Sequence, residues 1–466
     1  MFKRMLLLGL PLLMLISLAQ AVTRHDLDDP RLAARINGIA VSMPLLALMQ
    51  RITASQNPEA GAANDVLQTM VDDRLLAAYA RERYPQGGLI EDNKVAFSPV
   101  VQRRQALVSA LQLGYRAQLE AAIKKEKGGS LDALVLRRHD MRGADWQAVF
   151  GATPKMLLEY ALDENGRRAA EKIILLSYRL DAKTRGQISF ADVYDAQNVQ
   201  GRHQLHARDS AFAAQQATVL LGQVYVLHWT QTRSGLSAAD YRLLQEAVDD
   251  RLIRNGWMML IGISSDIHDD PAHLKALAAA VSPEEIRSYY EQNREEFRRI
   301  EKVRARHIRL ADEKTAQAVY ERLQKGEAFA ALAASTSMAD DRASGGDLGW
   351  IVHGDKQLDW LQSLAFVQKT GVASRPFRTP GKPGSQPAWE ILLTEERVEG
   401  YQPAESESVR YVAAQAIARR KALAEYRDTL IAVRAQADIR INPALRLDGE
   451  VVLPEAGAHD GHHHHE

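Results

Sequence analysis

Apolar residues recur every three or four positions over most of the chain between residues 42 and 290. This spacing places them on one face of a helix and predicts a largely helical region. Gly128, Gly129 and Gly151 interrupt the pattern and separate its helices. The predicted helices are 43–54, 62–84, 99–126, 155–163, 165–178 and 238–262.

One helical block occurs twice. LQTMVDDRLL at 67–76 matches LQEAVDDRLI at 244–253. Both place Leu, Val and Leu at i, i+4 and i+8, on one helical face, with the acidic pair and the arginine on another side. A short apolar stretch precedes each block, at 36–41 and at 221–226. We interpret the pattern as a duplicated helical module within residues 22–290; chance similarity between two amphipathic helices is the alternative.

The pattern changes from helix to strand after residue 282. Ser282-Pro283-Glu284-Glu285 has serine at the N-cap, proline at N1 and glutamate at N3, which is typical of a helix start. Residues 304–310 alternate apolar and polar, which predicts a strand with His307 on the side opposite Ile308. A helical run, a polar loop and the segment GGDLGW at 345–350 follow.

Residues 405–436 predict a long helix, and residues 439–442 alternate like a strand. We expect this tail to pair with the strand predicted at 35–42. The fold class is therefore α+β: a mostly helical core from 22–290 and 404–442, with an α/β domain at 300–396 inserted into it.

The first 21 residues are typical of a secretory signal peptide. Lys3 and Arg4 precede an apolar run and the small residues around Gln20. We predict export to the periplasm with cleavage after Ala21, and no integral membrane segment after cleavage. A retained membrane anchor is the alternative, although the apolar run is shorter than the roughly 20 residues that span a bilayer.

Composition narrows the classes of function. Cysteine is absent, which excludes disulfides and a thiol nucleophile. The chain has 59 basic and 59 acidic residues, and this balance does not favour nucleic acid as a partner. No P-loop, dinucleotide fingerprint or HExxH motif occurs, and we expect no cofactor. Residues 454–466 predict a disordered tail, whose imidazoles are candidate metal ligands: His459, His462, His463, His464 and His465.

The order of elements from Arg304 to Trp350 resembles the parvulin family of peptidyl-prolyl cis-trans isomerases (rotamases). It consists of a strand with one histidine, a helix, a Lys-Gly turn, a second helix, a polar loop and GGDLGW. The flanking helical regions resemble exported foldases of the SurA, PrsA and PpiD type. The resemblance implies isomerase and chaperone activity in protein folding, with unfolded or proline-containing exported polypeptides as partners.

The resemblance also implies an active site. In the family, two histidines lie on neighbouring central strands, with a threonine or serine nearby. His307 matches the first histidine and Thr379 the hydroxyl position. Glu390 occupies the position of the second histidine. A glutamate accepts a hydrogen bond from His307 and raises the pKa of that ring, but it does not donate as a neutral imidazole does.

The family further has a cysteine or aspartate before the glycine motif and an apolar pocket for proline. Counting back from Gly346 gives Ala339 for the acidic position; a gap of one residue gives Asp340, which we assign. The predicted substrate-binding residues are Leu348, Trp360, Leu361 and Phe366.

The resemblance therefore implies an exported parvulin-type isomerase and foldase. Because Glu390 replaces a histidine, we expect weak catalysis, with client binding as the main task. The alternatives are a catalytically inactive chaperone, or a dedicated assembly factor for one exported client, which the histidine-rich tail suggests.

Overall fold

A computed structural model describes residues 23–90, 92, 95–126, 128–152, 160–264, 271–354, 358–380 and 387–447. The predicted signal peptide and the histidine-rich tail lie outside these residues. The chain divides into two compact units, with boundaries at Lys275/Ala276 and Ala418/Arg419. Both units contain helices and antiparallel strands, and the α+β class is confirmed.

Helices account for most of the described chain. Their bounds are α1 Met43–Gln56, α2 Ala63–Arg83, α3 Pro99–Gly114, α4 Arg116–Glu126, α5 Gly143–Phe150, α6 Glu164–Lys172, α7 Phe190–Asp195, α8 Val199–His206, α9 Ser210–Arg233, α10 Ala238–Ile261, α11 Ala272–Ala279, α12 Pro283–Gln292, α13 Glu313–Gln324, α14 Phe329–Thr336, α15 Trp360–Val367 and α16 Glu407–Gln436. Ser42, Ser189 and Ser237 each accept a backbone N–H bond at a helix N-terminus, which fixes where α1, α7 and α10 begin. No helix in the described part of the chain combines the length and apolarity needed to cross a membrane.

The strands form three antiparallel sheets. Their bounds are β1 Leu32–Ile36, β2 Ile39–Ser42, β3 Val135–Arg138, β4 Ile174–Arg179, β5 Arg185–Ser189, β6 Arg298–Leu310, β7 Asp347–Val352, β8 Phe377–Arg378, β9 Trp389–Tyr401 and β10 Ile439–Ile441. The first unit contains the sheets β10-β1-β2 and β3-β4-β5, which share one hydrophobic core with its helices. The second unit contains the sheet β7-β6-β9-β8.

The C-terminal segment returns to the N-terminal strands of the first unit. Ile439 lies opposite Ile36 in the register of β10 and β1, so the pairing predicted between 439–442 and 35–42 is present. The Arg434 guanidinium also binds Asp72 of α2 at 2.6 Å, and each of the two side chains is only 15% exposed. A strand pair and a half-buried ion pair thus hold the end of the chain.

The duplicated blocks form α2 and α10, which pack against each other. Arg74 pairs with Asp250 at 3.5 Å, and its counterpart Arg251 pairs with Asp73 at 3.1 Å. The contact is therefore reciprocal, as expected when two similar helices face each other. The predicted equivalence of the upstream stretches is wrong. Residues 36–41 contain the end of β1, the hairpin turn at Asn37-Gly38 with Gly38 at φ +82°, and the start of β2, whereas residues 221–226 lie inside α9.

Three predicted helices differ from the observed elements. The helix predicted at 165–178 ends at Lys172, because the β-branched and apolar run after it forms β4 and pairs with β5. The helix predicted at 99–126 is interrupted at Tyr115. Of the helix predicted at 155–163, residues 155–159 lie outside the described residues, and residues 160–163 precede α6.

The sheet of the second unit separates two apolar layers. Alternation along β6 sends Ile308 and Leu310 towards α13 and α14. Ala305 of β6 and Leu392 of β9 face the other side, where α15 covers them. The helix start predicted at Ser282 is α12, with the full capping box.

Candidate active site

His307 lies near the C-terminal end of β6, one of the two central strands of the sheet. Its side chain is on the α15 side, opposite Ile308, and the residue is only 5% exposed. A histidine this deeply buried needs polar partners for both ring nitrogens.

Glu390 of β9 is the first partner. Its carboxylate accepts a bond from Nδ1 of His307 at 2.8 Å and one from Nε of Arg309 at 2.6 Å. Arg309 is directly opposite Glu390 in the strand register, which is why its side chain reaches the carboxylate. Glu390 has no exposed surface, and these two side chains supply the polar partners that a carboxylate buried so completely requires.

Asp341 is the second partner. Its Oδ2 lies 2.8 Å from Nε2 of His307. The neighbouring Asp340, which the sequence analysis assigned to this position, is exposed, and no contact joins it to His307 in the described chain. The backbone N–H of Met338 donates to the carbonyl of Arg309 at 2.8 Å, and this bond fixes the loop so that the second aspartate of the pair faces the ring.

The glycine motif is packed directly on the backbone of His307. The Gly346 carbonyl accepts the His307 N–H at 2.9 Å. Gly346 has φ +70°, and a Cβ at this position would collide with the carbonyl oxygen of His307. Gly345 also has positive φ, at +71°. Both glycines are therefore required by backbone geometry, which allows the loop to bring Asp341 to the ring.

The surroundings of His307 favour its charged form. Burial alone lowers the pKa of the ring, but the hydrogen bond and charge of Glu390 together with the charge and hydrogen bond of Asp341 outweigh it, and the pKa is raised. An imidazolium donates from both nitrogens, which matches two carboxylate acceptors. Arg309, Glu390, His307 and Asp341 then form a chain of alternating charges without net charge.

An apolar cluster lies on the same side of the sheet. Leu348, Trp360 and Phe366 are partly buried in it, and Leu361 is buried, at 3% exposure. The structure thus brings together the four residues predicted to bind proline. The ring of Phe377, which was not predicted, meets Trp360 edge to face, with 5.9 Å between centroids. The half-buried members offer the apolar surface that a proline ring requires.

Thr379 is not brought to His307. Its backbone N–H donates to the Ala388 carbonyl at 2.8 Å, and its hydroxyl accepts the Ala388 N–H at 3.2 Å. In the described chain, no hydrogen bond joins Thr379 to the histidine or to either carboxylate.

A metal site is not part of this arrangement. The described residues contain no group of three or more histidines and carboxylates suited to a metal ion. The five tail histidines named as candidate ligands lie outside the described residues.

Two members of the charged chain were missed by the sequence reasoning. Arg309 is two residues from His307 on the same strand, and its position on the same face was a usable signal. Asp341 is one residue beyond the assigned aspartate, and only the length of the turn before Gly345 decides between the two.

Comparisons with known proteins support the assignment of this unit. Residues 297–395 match the family model described as Rotamase, PPIC-type PPIase domain. A foldase protein PrsA of Caldanaerobacter subterraneus is 45% identical over 100 residues, covering 21% of this chain and 31% of that protein. A periplasmic chaperone PpiD of Haemophilus ducreyi is 41% identical over 75 residues, covering 16% of this chain and 12% of that protein. The chain thus spans about a third or less of the length of these curated relatives.

Among solved structures, PrsA from Bacillus anthracis is similar with a TM-score of 0.20 and 16% identity, over 48% of this chain and 88% of that one. A SurA-like chaperone of Campylobacter jejuni gives a TM-score of 0.21 and 17% identity, over 54% of this chain and 92% of that one. The sequence match and the geometry agree on one part of the chain: residues 297–395 form a parvulin domain of the PPIC type.

Proposed function

We propose that this chain is a peptidyl-prolyl cis-trans isomerase of the parvulin type that assists the folding of exported polypeptides. The observation that carries the proposal is the pairing of the Glu390–His307–Asp341 chain with a half-buried apolar cluster on the same side of the sheet. The family match over this unit and the foldase and chaperone names of its relatives support the same activity.

Prolyl isomerisation requires no covalent step from the protein. Its barrier of about 20 kcal/mol comes from amide resonance, which the twisted state loses. In the planar amide the carbonyl oxygen carries more negative charge than in the twisted one. A fixed carboxylate near that oxygen therefore disfavours the planar state more than the twisted state, and only such differential interactions increase the rate.

We assign that carboxylate to Asp341. It is the less buried of the two acids, with 26% of its side chain exposed against 0% for Glu390. Its Oδ1 is buried and has no hydrogen-bond partner in the described chain, which is an exception to the rule that buried acceptors are satisfied. His307, Glu390 and Arg309 act as positioning residues that hold Asp341 in place. Leu348, Trp360 and Phe366 hold the proline ring; a role for Thr379 remains a prediction.

We further propose that residues 22–290, with the returning segment 404–442, bind unfolded clients, and that residues 300–396 isomerise them. The pairing of β10 with β1 supports the return of the C-terminal segment. Export to the periplasm after cleavage at Ala21 belongs to the same proposal, and the periplasmic location in the name of the PpiD relative supports it. Metal binding by the tail remains a prediction.

A chaperone without isomerase activity is the second candidate. Both ring nitrogens of His307 are occupied by carboxylates, and Glu390 stands where the family has a second histidine. The ring is thus unable to donate to a substrate unless one bond breaks, which favours client binding without catalysis.

Two assays on the full chain separate these functions. One measures the rate of a refolding reaction limited by proline isomerisation, and the other measures suppression of aggregation of an unfolded protein. Asp341→Asn keeps the side-chain size and removes the charge, and we expect it to reduce the refolding rate enhancement by at least about tenfold. Asp340→Asn, at the adjacent exposed position, is the matched control and should have no effect. Aggregation suppression without any rate enhancement in the unmodified protein would establish the second candidate instead.

A further inference from the structure

A groove in the first unit is lined by side-chain amides rather than by charges. Its walls come from α3, from residues 197–204 around α8, and from α9, and they enclose about 290 Å³. Six glutamines line it: Gln105, Gln197, Gln200, Gln204, Gln216 and Gln223. Arg104 is the one lysine or arginine among the lining residues, and no carboxylate lines the groove. We call this feature the carboxamide groove.

The amides of the carboxamide groove are mostly uncommitted. Gln197 donates to the Gln216 side chain at 3.3 Å and to the Val193 carbonyl at 3.1 Å. In contrast, the side chains of Gln105, Gln204 and Gln223 make no hydrogen bond within the described part of the chain. Each carboxamide carries both a donor and an acceptor, which are the same groups that a peptide bond presents.

Apolar surface accompanies these amides. Val219 lines the groove on α9 between Gln216 and Gln223 and is 46% exposed. Val100, beside the lining residue Val101 on α3, is 68% exposed. Val95 is 61% exposed, and its carbonyl accepts the N–H of Val199 at the start of α8. Exposed apolar residues around a polar groove are typical of binding surfaces.

The spacing fits an extended main chain. Gln216 and Gln223 are seven residues apart on α9, which corresponds to about 10 Å along a helix. An extended peptide advances about 3.3 Å per residue, so the two amides are separated by about three peptide units. A neutral amide side chain is able to pair with the main-chain groups of any sequence. The lining valines, Val101 and Val219, offer apolar surface to side chains.

We propose that the carboxamide groove binds an extended, uncharged segment of an unfolded polypeptide through its main-chain amides. This inference rests on the proposed function, because it identifies where a foldase holds its client outside the parvulin domain. Recognition of main-chain groups explains how one groove serves many sequences.

The probe is a fluorescein-labelled, unstructured peptide of twelve residues without charged side chains and with valine at alternate positions. Its affinity for the full chain is measured by fluorescence anisotropy. The double variant Gln105→Leu/Gln223→Leu removes two amides at nearly constant size. Each lost bond weakens binding about fivefold, so we expect a loss of at least about tenfold. Gln215→Leu, on an exposed position of the same helix outside the groove, is the matched control and should bind like the unmodified protein.

A second peptide with N-methylated main-chain amides at the valines tests the mode of recognition. We expect it to bind the unmodified protein at least about tenfold more weakly than the first peptide, and to show no further loss in the double variant. Equal affinity of the two peptides, or equal affinity of the double variant and the Gln215→Leu control, would overturn the inference. So would a large gain in affinity on removing residues 448–466, because the chain's own tail would then be the occupant. Isomerase activity on a short proline peptide is measured in parallel; its presence in the double variant keeps the proposed function intact if the groove fails.

Discussion

Replacing Glu390 with glutamine tests the charged chain at its most buried member. The substitution preserves size and replaces one of the two carboxylate oxygens with an NH2 group, which cannot accept a hydrogen bond. It removes the negative charge that lies 2.8 Å from Nδ1 of His307 and 2.6 Å from Nε of Arg309. Two cations then lose their shared buried counter-charge, while Asp341 still faces the other side of the ring.

The loss of stability in Glu390→Gln follows from the burial of the Glu390 carboxylate. Removing one partner of a buried ion pair typically costs about 3–5 kcal/mol. The Arg309 side chain is 41% exposed and turns to solvent, and the remaining amide oxygen keeps one bond. We therefore expect Glu390→Gln to destabilise the second unit by about 2–3 kcal/mol near neutral pH.

The pH dependence has a definite sign. Burial opposes ionisation of His307, but Glu390 and Asp341 raise its folded-state pKa above the ordinary value of about 6.5. The protonated ring thus contributes stability that is complete below the unfolded pKa and is lost as pH rises through the folded pKa. Glu390→Gln reduces this contribution, so the stability gap between the two proteins is largest below the ordinary histidine pKa of about 6.5 and narrows as the pH rises through the raised folded-state pKa of His307.

Hydrogen exchange with mass spectrometry measures the gap on the full chain. Protection of amides in β6 and β9 reports the second unit, and amides in α9 serve as an internal reference. Glu395→Gln is the matched control on the same strand. The Glu395 carboxylate lies 2.7 Å from Nε of Arg306, but its side chain is 29% exposed. We therefore expect this control to destabilise the second unit by under about 1 kcal/mol. A loss of stability in Glu390→Gln that is smaller than in the control, or a loss that grows with pH, would contradict this role for the Glu390 charge.

Two further predictions concern the backbone and the chain end. Gly346→Ala forces a Cβ into the carbonyl of His307 at φ +70°, and we expect at least about 3 kcal/mol of destabilisation of the second unit by hydrogen exchange; Gly326→Ala, at φ +90° in open space, should cost about 1 kcal/mol. Arg434→Ala leaves Asp72 without its half-buried partner, and we expect urea unfolding to show that the first unit is about 2–3 kcal/mol less stable. Arg427→Ala, an exposed position on the same helix, should change the stability of the first unit by under about 0.5 kcal/mol. Equal effects of the two variants would show that the Asp72 contact contributes nothing.

Much of the second unit could be predicted because its signals are local. Alternation in β6 placed His307 on the face opposite Ile308. The pair Gly345-Gly346 indicated a tight turn, and both residues have positive φ in the structure. The choice between Asp340 and Asp341 depends on a turn whose length no periodicity encodes. The contact between Arg309 and Glu390 depends on the register of β6 and β9, which is a long-range property of the fold.

The first unit shows a different limit. Periodicity located α1, α2 and α10, whose apolar faces are continuous. It assigned residues 174–178 to a helix, because a short run of apolar and β-branched residues fits both a buried helix and a strand. The pairing of this run with β5 decides in favour of the strand. Asp73 and Asp250 each pair with the arginine of the opposite block. These ion pairs explain why the acidic residues and the arginine occur in both blocks, which helical periodicity alone does not reveal.

We attribute the isomerase activity of this domain to the Asp341–His307–Glu390 chain. Exchange NMR on a short proline-containing peptide measures the cis-trans rate directly at catalytic concentrations of the full chain. We predict acceleration by the unmodified protein, a loss of at least about tenfold in Asp341→Asn, and full activity in Asp340→Asn. Acceleration that survives in Asp341→Asn, or none in the unmodified protein, would contradict it.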